Sequence, residues 1–326
     1  MRSMSLEVPC GDGRSSVSGT GILGRKGPLR KGDVMAGQKT SGGTGLRICP
    51  PPPKGFDPFA ASKVDLARHG LPLRPDPQTQ PDLAALWDRL ADRYRDFEHL
   101  EPRPDTATAG RKAAEKAAAP RLLPLDPQES CGYSLFGSQA APFTALFATW
   151  TVPDLRYSPD PYGPNYFRTF VSLGFLDLHT EMSVDSAEHV TCGLWAEGVG
   201  TINLPVGPGD VVSGSLCLDT KQPGTAHYFL ANQTTSQTVN FTVDTGFPPA
   251  VTIAAGVSRG GFDHPNPSLA RFGVVYFDEI SAYSTNGHQP FPASSDAVTM
   301  VDQNGTTLAQ PDMLTDYTFK TMFVAA

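Results

Sequence analysis

The chain has 326 residues and is rich in turn-forming residues, with 32 Gly and 31 Pro. Only 18% of the residues are charged and the formal net charge is −7, which argues against a nucleic-acid partner because phosphate binding needs clustered Lys and Arg. No run of 18 apolar residues occurs, so we expect no membrane span.

Residues 1–48 form a basic tail that is rich in Gly and Ser and has little hydrophobic pattern, which predicts disorder. Met35 offers an alternative start, and we treat that as a hypothesis. The first residues are too polar for the apolar core of a signal peptide, so the sequence gives secretion no direct support and leaves localisation open.

Residues 49–100 form a Pro-rich segment in which we predict two helices. The first has Ser62 as its N-cap, Asp65 at the third position and Gly70 as its stop. The second carries an apolar stripe that should pack on the main domain or on a partner: Leu83, Leu86, Trp87, Leu90, Tyr94 and Phe97. Residues 101–140 are interpreted as a linker with some helical tendency.

Residues 141–326 differ from the preceding segments and consist of short apolar runs separated by turn residues. About eleven candidate strands follow one another at intervals of roughly 8–15 residues, with no helix-length pattern between them. Such a series closes most simply into two packed antiparallel sheets. We therefore predict an all-β sandwich preceded by a partly disordered N-terminal region.

The stretch "GFLDLHTEMSVD", residues 174–185, alternates apolar and polar residues with the period of a strand. Its polar side carries Asp177, His179 and Glu181 in succession. A solvated sheet face explains such a pattern, and so does a strand that lines a cleft. The alternation alone leaves both interpretations open.

Several segments, in this order and spacing, resemble the glutamic peptidases, or eqolisins. The matching segments are "ATWTVPDL", "FVSLGFLDLHTEMSV", "LWAEG", "VGPGDVVSGSL", "ARFGVVYFDEISA" and "VTMVDQNGTTLAQPDML". The resemblance covers about 180 residues and implies a concanavalin A-like double sheet, a jelly roll bent around a groove that holds an extended peptide. Members cleave peptides at acid pH with a facing Gln and Glu, use no metal or other cofactor, and are typically secreted.

The resemblance also implies which residues occupy the site. His179 takes the position of the Gln, and a neutral or protonated imidazole can still donate a hydrogen bond to an oxyanion. Ala255 or Gly256 stands where the Glu belongs, so the usual pair is not retained. Glu197 and Trp195, from the family's Trp-x-Glu strand, should line the groove floor.

Asp177 and Glu181, on the polar side of the His179 strand, are expected to face the same groove. With Trp150, from the segment that resembles the family's "ATWTVPDL" strand, they complete the predicted substrate-binding set.

These residues favour an eqolisin-like protein that binds extended peptide or glycan chains as a non-canonical or inactive peptidase homologue. The alternative is an active acid endopeptidase with a rearranged site in which His179 is the donor and Glu197 or Glu181 is the base. A third possibility is a metal site built from Asp177, His179 and Glu181, because an imidazole and carboxylates share one strand face. The oligomeric state is left open.

Overall fold

The computed structural model describes residues 39–40, 46–79, 81–103, 125–159, 163–218, 224–244, 246, 249–259 and 268–324. The proposed start at Met35 and most of the predicted disordered tail lie outside these residues. Two helices are described, α1 (Lys63–Arg68) and α2 (Pro81–Tyr94), and both precede the main run of strands.

Nine strands begin before residue 200. The three in the N-terminal segment have two or three residues, and those from residue 130 onward have seven or nine, apart from one strand of two residues. They are β1 (Lys39–Thr40), β2 (Leu46–Ile48), β3 (Glu98–His99), β4 (Ser130–Phe136), β5 (Phe143–Thr151), β6 (Leu155–Arg156), β7 (Asn165–Leu173), β8 (Leu176–Val184) and β9 (Val190–Ala196). The remainder are β10 (Gly200–Ile202), β11 (Val211–Leu218), β12 (Thr225–Asn232), β13 (Gln237–Asp244), β14 (Thr252–Ser258), β15 (Arg271–Phe272), β16 (Val274–Ser284), β17 (Gly287–Pro290), β18 (Asp296–Val298), β19 (Met300–Val301), β20 (Thr307–Thr315) and β21 (Thr318–Phe323).

Two large sheets pack face to face, which confirms the predicted β-sandwich. The twelve-stranded sheet runs β1-β2-β13-β12-β11-β5-β16-β21-β20-β19. Its other two strands lie off this path, where β17 pairs with β16 and β3 pairs with β13. The seven-stranded sheet runs β10-β9-β8-β7-β14-β4-β18. One continuous core lies between them, because each strand directs alternate apolar side chains inward.

The sandwich begins earlier in the chain than predicted. β4 lies inside the segment 101–140 that was interpreted as a linker, yet it sits between β14 and β18 in the seven-stranded sheet. Its Cys131 and Tyr133 are buried in the shared core. β2 likewise lies in the predicted disordered tail and pairs with β13. β2 has only three residues, too few to show an alternation, whereas β4 alternates Cys131, Tyr133 and Leu135 with small residues and went unrecognised.

α1 has the caps that the sequence predicts. The Ser62 hydroxyl oxygen accepts a hydrogen bond from the backbone N–H of Asp65 at 3.1 Å, and Gly70 follows the helix with a φ of +66°. A positive φ is easily adopted by glycine, so the chain turns there without strain.

The apolar stripe of α2 is covered, as predicted, and most of it packs on the outer face of the twelve-stranded sheet. Leu86 contacts a cluster formed by β5 and β16, and Tyr94 contacts one formed by β12. Trp87 turns the other way and packs with Leu66 and Leu73. An ion pair between Arg93 and Glu279, 3.1 Å apart, joins the helix to β16. The N-terminal segment is therefore part of the folded body.

We predict that Leu86→Asp releases α2 from the sheet. Burying one large apolar side chain is worth about 1.5–3 kcal/mol, and an unpaired buried carboxylate adds a further penalty. Limited proteolysis should then cut α2 much faster than in the wild type. Ala85→Asp places the same charge on the exposed side of the helix and is the matched control. Equal cleavage of both variants would contradict the docking.

The docked N-terminal segment should also be sensitive to acid through His99. Burial, with a contribution from the charge of His69, lowers the pKa of His99 from 6.5 to about 4. Above pH 6.5 the imidazole is neutral in both states. As the pH falls from about 6.5 towards 4, only the undocked state takes up the proton, so docking loses stability.

Hydrogen exchange tests this prediction. The amides of Glu98 and Leu100 bond to the carbonyls of Ser236 and Thr238, each at 2.8 Å. After correction for intrinsic exchange rates, their protection should fall between pH 6.5 and 4, and His99→Gln should flatten the dependence. The same fall in the variant would assign the effect to other groups.

Candidate functional site

Four of the residues singled out from the sequence, Asp177, His179, Glu181 and Trp195, lie on the outer face of the seven-stranded sheet, where β8 runs beside β7 and β9. β7 and β8 form a hairpin with the two-residue turn 174–175, and Gly174 adopts a φ of +60° there. This turn sets the register, which places Phe170 opposite His179 and Arg168 opposite Glu181. β9 then places Trp195 on the other side of His179.

Asp177 orients the imidazole of His179. Asp177 Oδ2 lies 2.9 Å from His179 Nδ1. Because a carboxylate oxygen accepts a hydrogen bond, Nδ1 carries the proton in this contact. The Trp195 ring stacks on the imidazole with 4.6 Å between centroids and 20° between planes. Two neighbours thus fix the position and the plane of His179, whose side chain is only 1% exposed.

The second ring nitrogen of His179 faces Glu181. Nε2 lies 3.7 Å from Glu181 Oε2, which is beyond hydrogen-bond distance, and it has no hydrogen-bond partner in the part of the chain that the structure describes. Glu181 is more open, with 30% of its side chain exposed. With the proton on Nδ1 of the neutral ring, two acceptors face each other across this gap.

Arg168 balances part of the negative charge and was missed by the sequence analysis. Its guanidinium lies 3.9 Å from Asp177 Oδ2 and 3.6 Å from Glu181 Oε1. With a neutral imidazole, two carboxylates and one guanidinium leave one net negative charge. The signal was present, because counting outward from the two-residue turn pairs Arg168 with Glu181. We call Arg168, Asp177, His179, Glu181 and Trp195 the His179 site.

The neighbouring strand β14 contributes no acid to this face. Ala255 points into the core and is fully buried, whereas Gly256 faces outward in the same row as Phe170 and His179. A side chain at Gly256 would collide with the carbonyl of Cys131 and the backbone of Gly132 in β4. The close approach of the two strands therefore requires glycine.

His179 contacts Asp177, Glu181 and Trp195, and Glu197 lies outside this group. It follows the end of β9, where its backbone N–H donates to the Asp177 carbonyl at 2.8 Å. Its own carbonyl accepts from the Tyr228 hydroxyl at 3.4 Å. Burial raises the pKa of Tyr228 well above its usual value, and the charges of Glu197 and Asp177 add to that rise. Glu197 therefore borders the core at the end of the strand.

Trp150 is not part of the outer face. It is 1% exposed in the core between the sheets, and its indole N–H donates to Thr180 Oγ1 at 3.0 Å. Since Thr180 is the inward neighbour of His179, Trp150 lies on the opposite side of the sheet. We therefore leave it out of the His179 site.

Among the described residues, no group of three or more His, Cys, Asp or Glu side chains is arranged to hold a metal ion. In the same part of the chain, no helix is both long and apolar enough to cross a membrane.

Comparisons with solved structures found likenesses at low identity. Scytalido-glutamic peptidase, solved with a peptide-based transition-state analogue, is 17% identical with a TM-score of 0.49, over 60% of this chain and 98% of that one. SCP-B, a member of the eqolisin family solved with the tripeptide Ala-Ile-His, is 17% identical with a TM-score of 0.48 over the same shares. Tailspike protein 2 of bacteriophage CBA120 is 15% identical with a TM-score of 0.25, over 46% of this chain and 24% of that one.

Among curated proteins, none matches the chain. A comparison with protein families is decisive. The model of the family described as "Peptidase A4 family" matches residues 128–321. This match begins just before β4 and ends within β21, so it takes in both sheets and the whole His179 site. It covers well over half of the 326 residues, and the chain therefore belongs to the Peptidase A4 family, the glutamic peptidases or eqolisins that its sequence resembles.

Proposed function

We propose that this member of the Peptidase A4 family binds extended peptide chains at the His179 site and does not cleave them. The observation that carries the proposal is the absence of a carboxylate on β14. The resemblance places the catalytic Glu at Ala255 or Gly256; the first side chain is in the core and the second position has no room for one. Without that base, a contribution of about 10²–10⁴-fold to hydrolysis is lost.

The His179 site offers acceptors to a bound chain. Glu181 Oε2 is the acceptor that a bound chain can reach, since 30% of the Glu181 side chain is exposed. In a neutral ring with the proton on Nδ1, Nε2 is a second acceptor, 3.7 Å from Oε2 and buried. A backbone N–H or a basic group of the bound chain would donate to Glu181. The net negative charge left by Arg168, Asp177 and Glu181 favours such donors.

An active acid endopeptidase is the second candidate, and it rests on the same gap. Nε2 and Glu181 Oε2 are 3.7 Å apart, a separation at which one water can contact both. Glu181 would then act as the general base, and a protonated His179 would donate from Nε2 to the oxyanion, since Nδ1 is engaged by Asp177. The earlier pairing of His179 with Glu197 is less favoured, because Glu197 borders the core beside Tyr228.

We predict that the protein binds reduced, unfolded casein without cleaving it at any pH between about 2 and 8. Glu181→Gln should weaken binding about tenfold, which corresponds to about 1.4 kcal/mol, because a charge-assisted hydrogen bond becomes a neutral one. Calorimetry measures the binding, and release of acid-soluble peptides measures cleavage. Ser183→Ala, which lies on the same strand face beside Thr191, is the matched control and should bind like the wild type.

The outcomes separate the two candidates. Cleavage that disappears in Glu181→Gln establishes the peptidase with Glu181 as base, and cleavage that disappears only in Glu197→Gln restores the pairing of His179 with Glu197. Casein that is neither bound nor cleaved would remove the peptide-binding proposal. Equal loss of binding in Ser183→Ala would show a general effect on the sheet and not a site.

A further inference from the structure

An open surface cavity of about 290 Å³ lies at one end of the sandwich and shares no lining residue with the His179 site. Both sheets and the small β6–β15 pair contribute to it, since its lining comes from the ends of their strands. The residues that matter for its chemistry are Arg259, Arg271, Asp302, Leu269, Leu308 and Phe323.

Two arginines of this cavity have no carboxylate partner among the residues that the structure describes. Arg259 donates from Nε to the carbonyl of Gln128 at 2.8 Å, which leaves its terminal nitrogens for other contacts. Arg271 pairs across the β6–β15 ladder with Arg156, and like charges directly opposite one another destabilise a strand pair. None of the ion pairs within the described ranges involves these three arginines. Positive charge is therefore concentrated here with no ion pair to a described carboxylate.

Asp302 lines the same cavity but is engaged elsewhere. Its Oδ1 accepts the backbone N–H groups of Asn304 and Thr306, each at 2.8 Å. These bonds, with that of Thr306 contributing most, lower the pKa of Asp302, so it stays ionised at neutral pH. Two guanidinium groups against one carboxylate leave the cavity lining positive.

The other lining residues are three apolar side chains together with Ser158, Pro159 and Ser268. Leu269 is buried, and Leu308 and Phe323 are half-buried and belong to the margin of the main core. A ligand that fills this space therefore needs an apolar body as well as an anionic group. A planar carboxylate suits a guanidinium, because it accepts two parallel N–H bonds.

We propose that this cavity is a second binding site that takes a carboxylate carried on an apolar group, such as the free C-terminal residue of a peptide. The guanidinium groups of Arg259 and Arg271 bind the carboxylate, and Leu269, Leu308 and Phe323 contact the apolar part. The site shares no residue with the His179 site, so it does not depend on whether that site binds or cleaves peptides.

Calorimetry of the full chain with N-acetyl-phenylalanine and with its amide tests the proposal. The acid should bind at least tenfold more tightly than the amide, because only the acid is an anion. Arg259→Gln and Arg271→Gln should each weaken binding of the acid about tenfold, since each removes a charge-assisted contact. Arg95→Gln, a change of an exposed arginine on the helical segment, is the control and should have no effect.

Asp302→Asn should change the affinity for the acid in the opposite direction. It keeps the acceptor oxygen for Asn304 and Thr306 but removes the negative charge, so the acid should bind several-fold more tightly. Equal binding of acid and amide, or no binding of the acid at about 10 mM, a concentration that detects weak ligands, would overturn the proposal. Inorganic phosphate that binds as tightly as the acid would also overturn it, because the apolar lining would then contribute nothing.

Discussion

The hydrogen bond between the Trp150 indole and the Thr180 hydroxyl connects the two sheets and decides which way β8 faces. Thr180 and Leu178 point into the core. Because side chains alternate along a strand, Asp177, His179 and Glu181 must then point outward. Gly214 of the opposite sheet leaves the space that Leu178 and Trp150 occupy. A slip of one residue would bury two carboxylates, so this packing enforces the geometry of the His179 site.

Once the facing of β8 is fixed, the chemistry of the outer face follows from its neighbours. Two carboxylates share one guanidinium and one imidazole, and Trp195 prevents the imidazole from rotating. β14 adds no carboxylate to this face, and its contact with β4 excludes any side chain at Gly256, the position in line with His179. The same sheet that would present a Gln and a Glu in the resemblance presents here a network of acceptors around His179. Binding fits this arrangement better than activation of water.

Sequence patterns predicted the elements better than they predicted which elements meet. The long strands from β5 onward, the caps of α1 and the outward facing of Asp177, His179 and Glu181 all depend on local alternation or local hydrogen bonds, so they could be predicted. β4 carries the same local signal, because Cys131, Tyr133 and Leu135 alternate with small residues. Its place between β14 and β18 could not be predicted, because strand pairing depends on residues far apart in the chain.

The side-chain environments that the sequence analysis missed depend on the register or on the facing of a strand. The Arg168 contacts depend on the register of the β7–β8 hairpin. Glu197 was assigned to a strand face although β9 ends one residue before it. Trp150 was assigned to the groove by resemblance, whereas the alternation of Leu146, Ala148 and Trp150 in β5 already pointed to the core.

The account rests on a bound chain contacting Glu181 beside His179, and nitrogen NMR of ¹⁵N-histidine-labelled protein tests this most directly. The free protein should show the proton of His179 on Nδ1, bonded to Asp177, with Nε2 as the acceptor. On titration with unfolded casein, the Nε2 resonance of His179 should shift, whereas that of His227, on β12 of the other sheet, should not. An unchanged His179 resonance in the presence of bound casein would contradict the account.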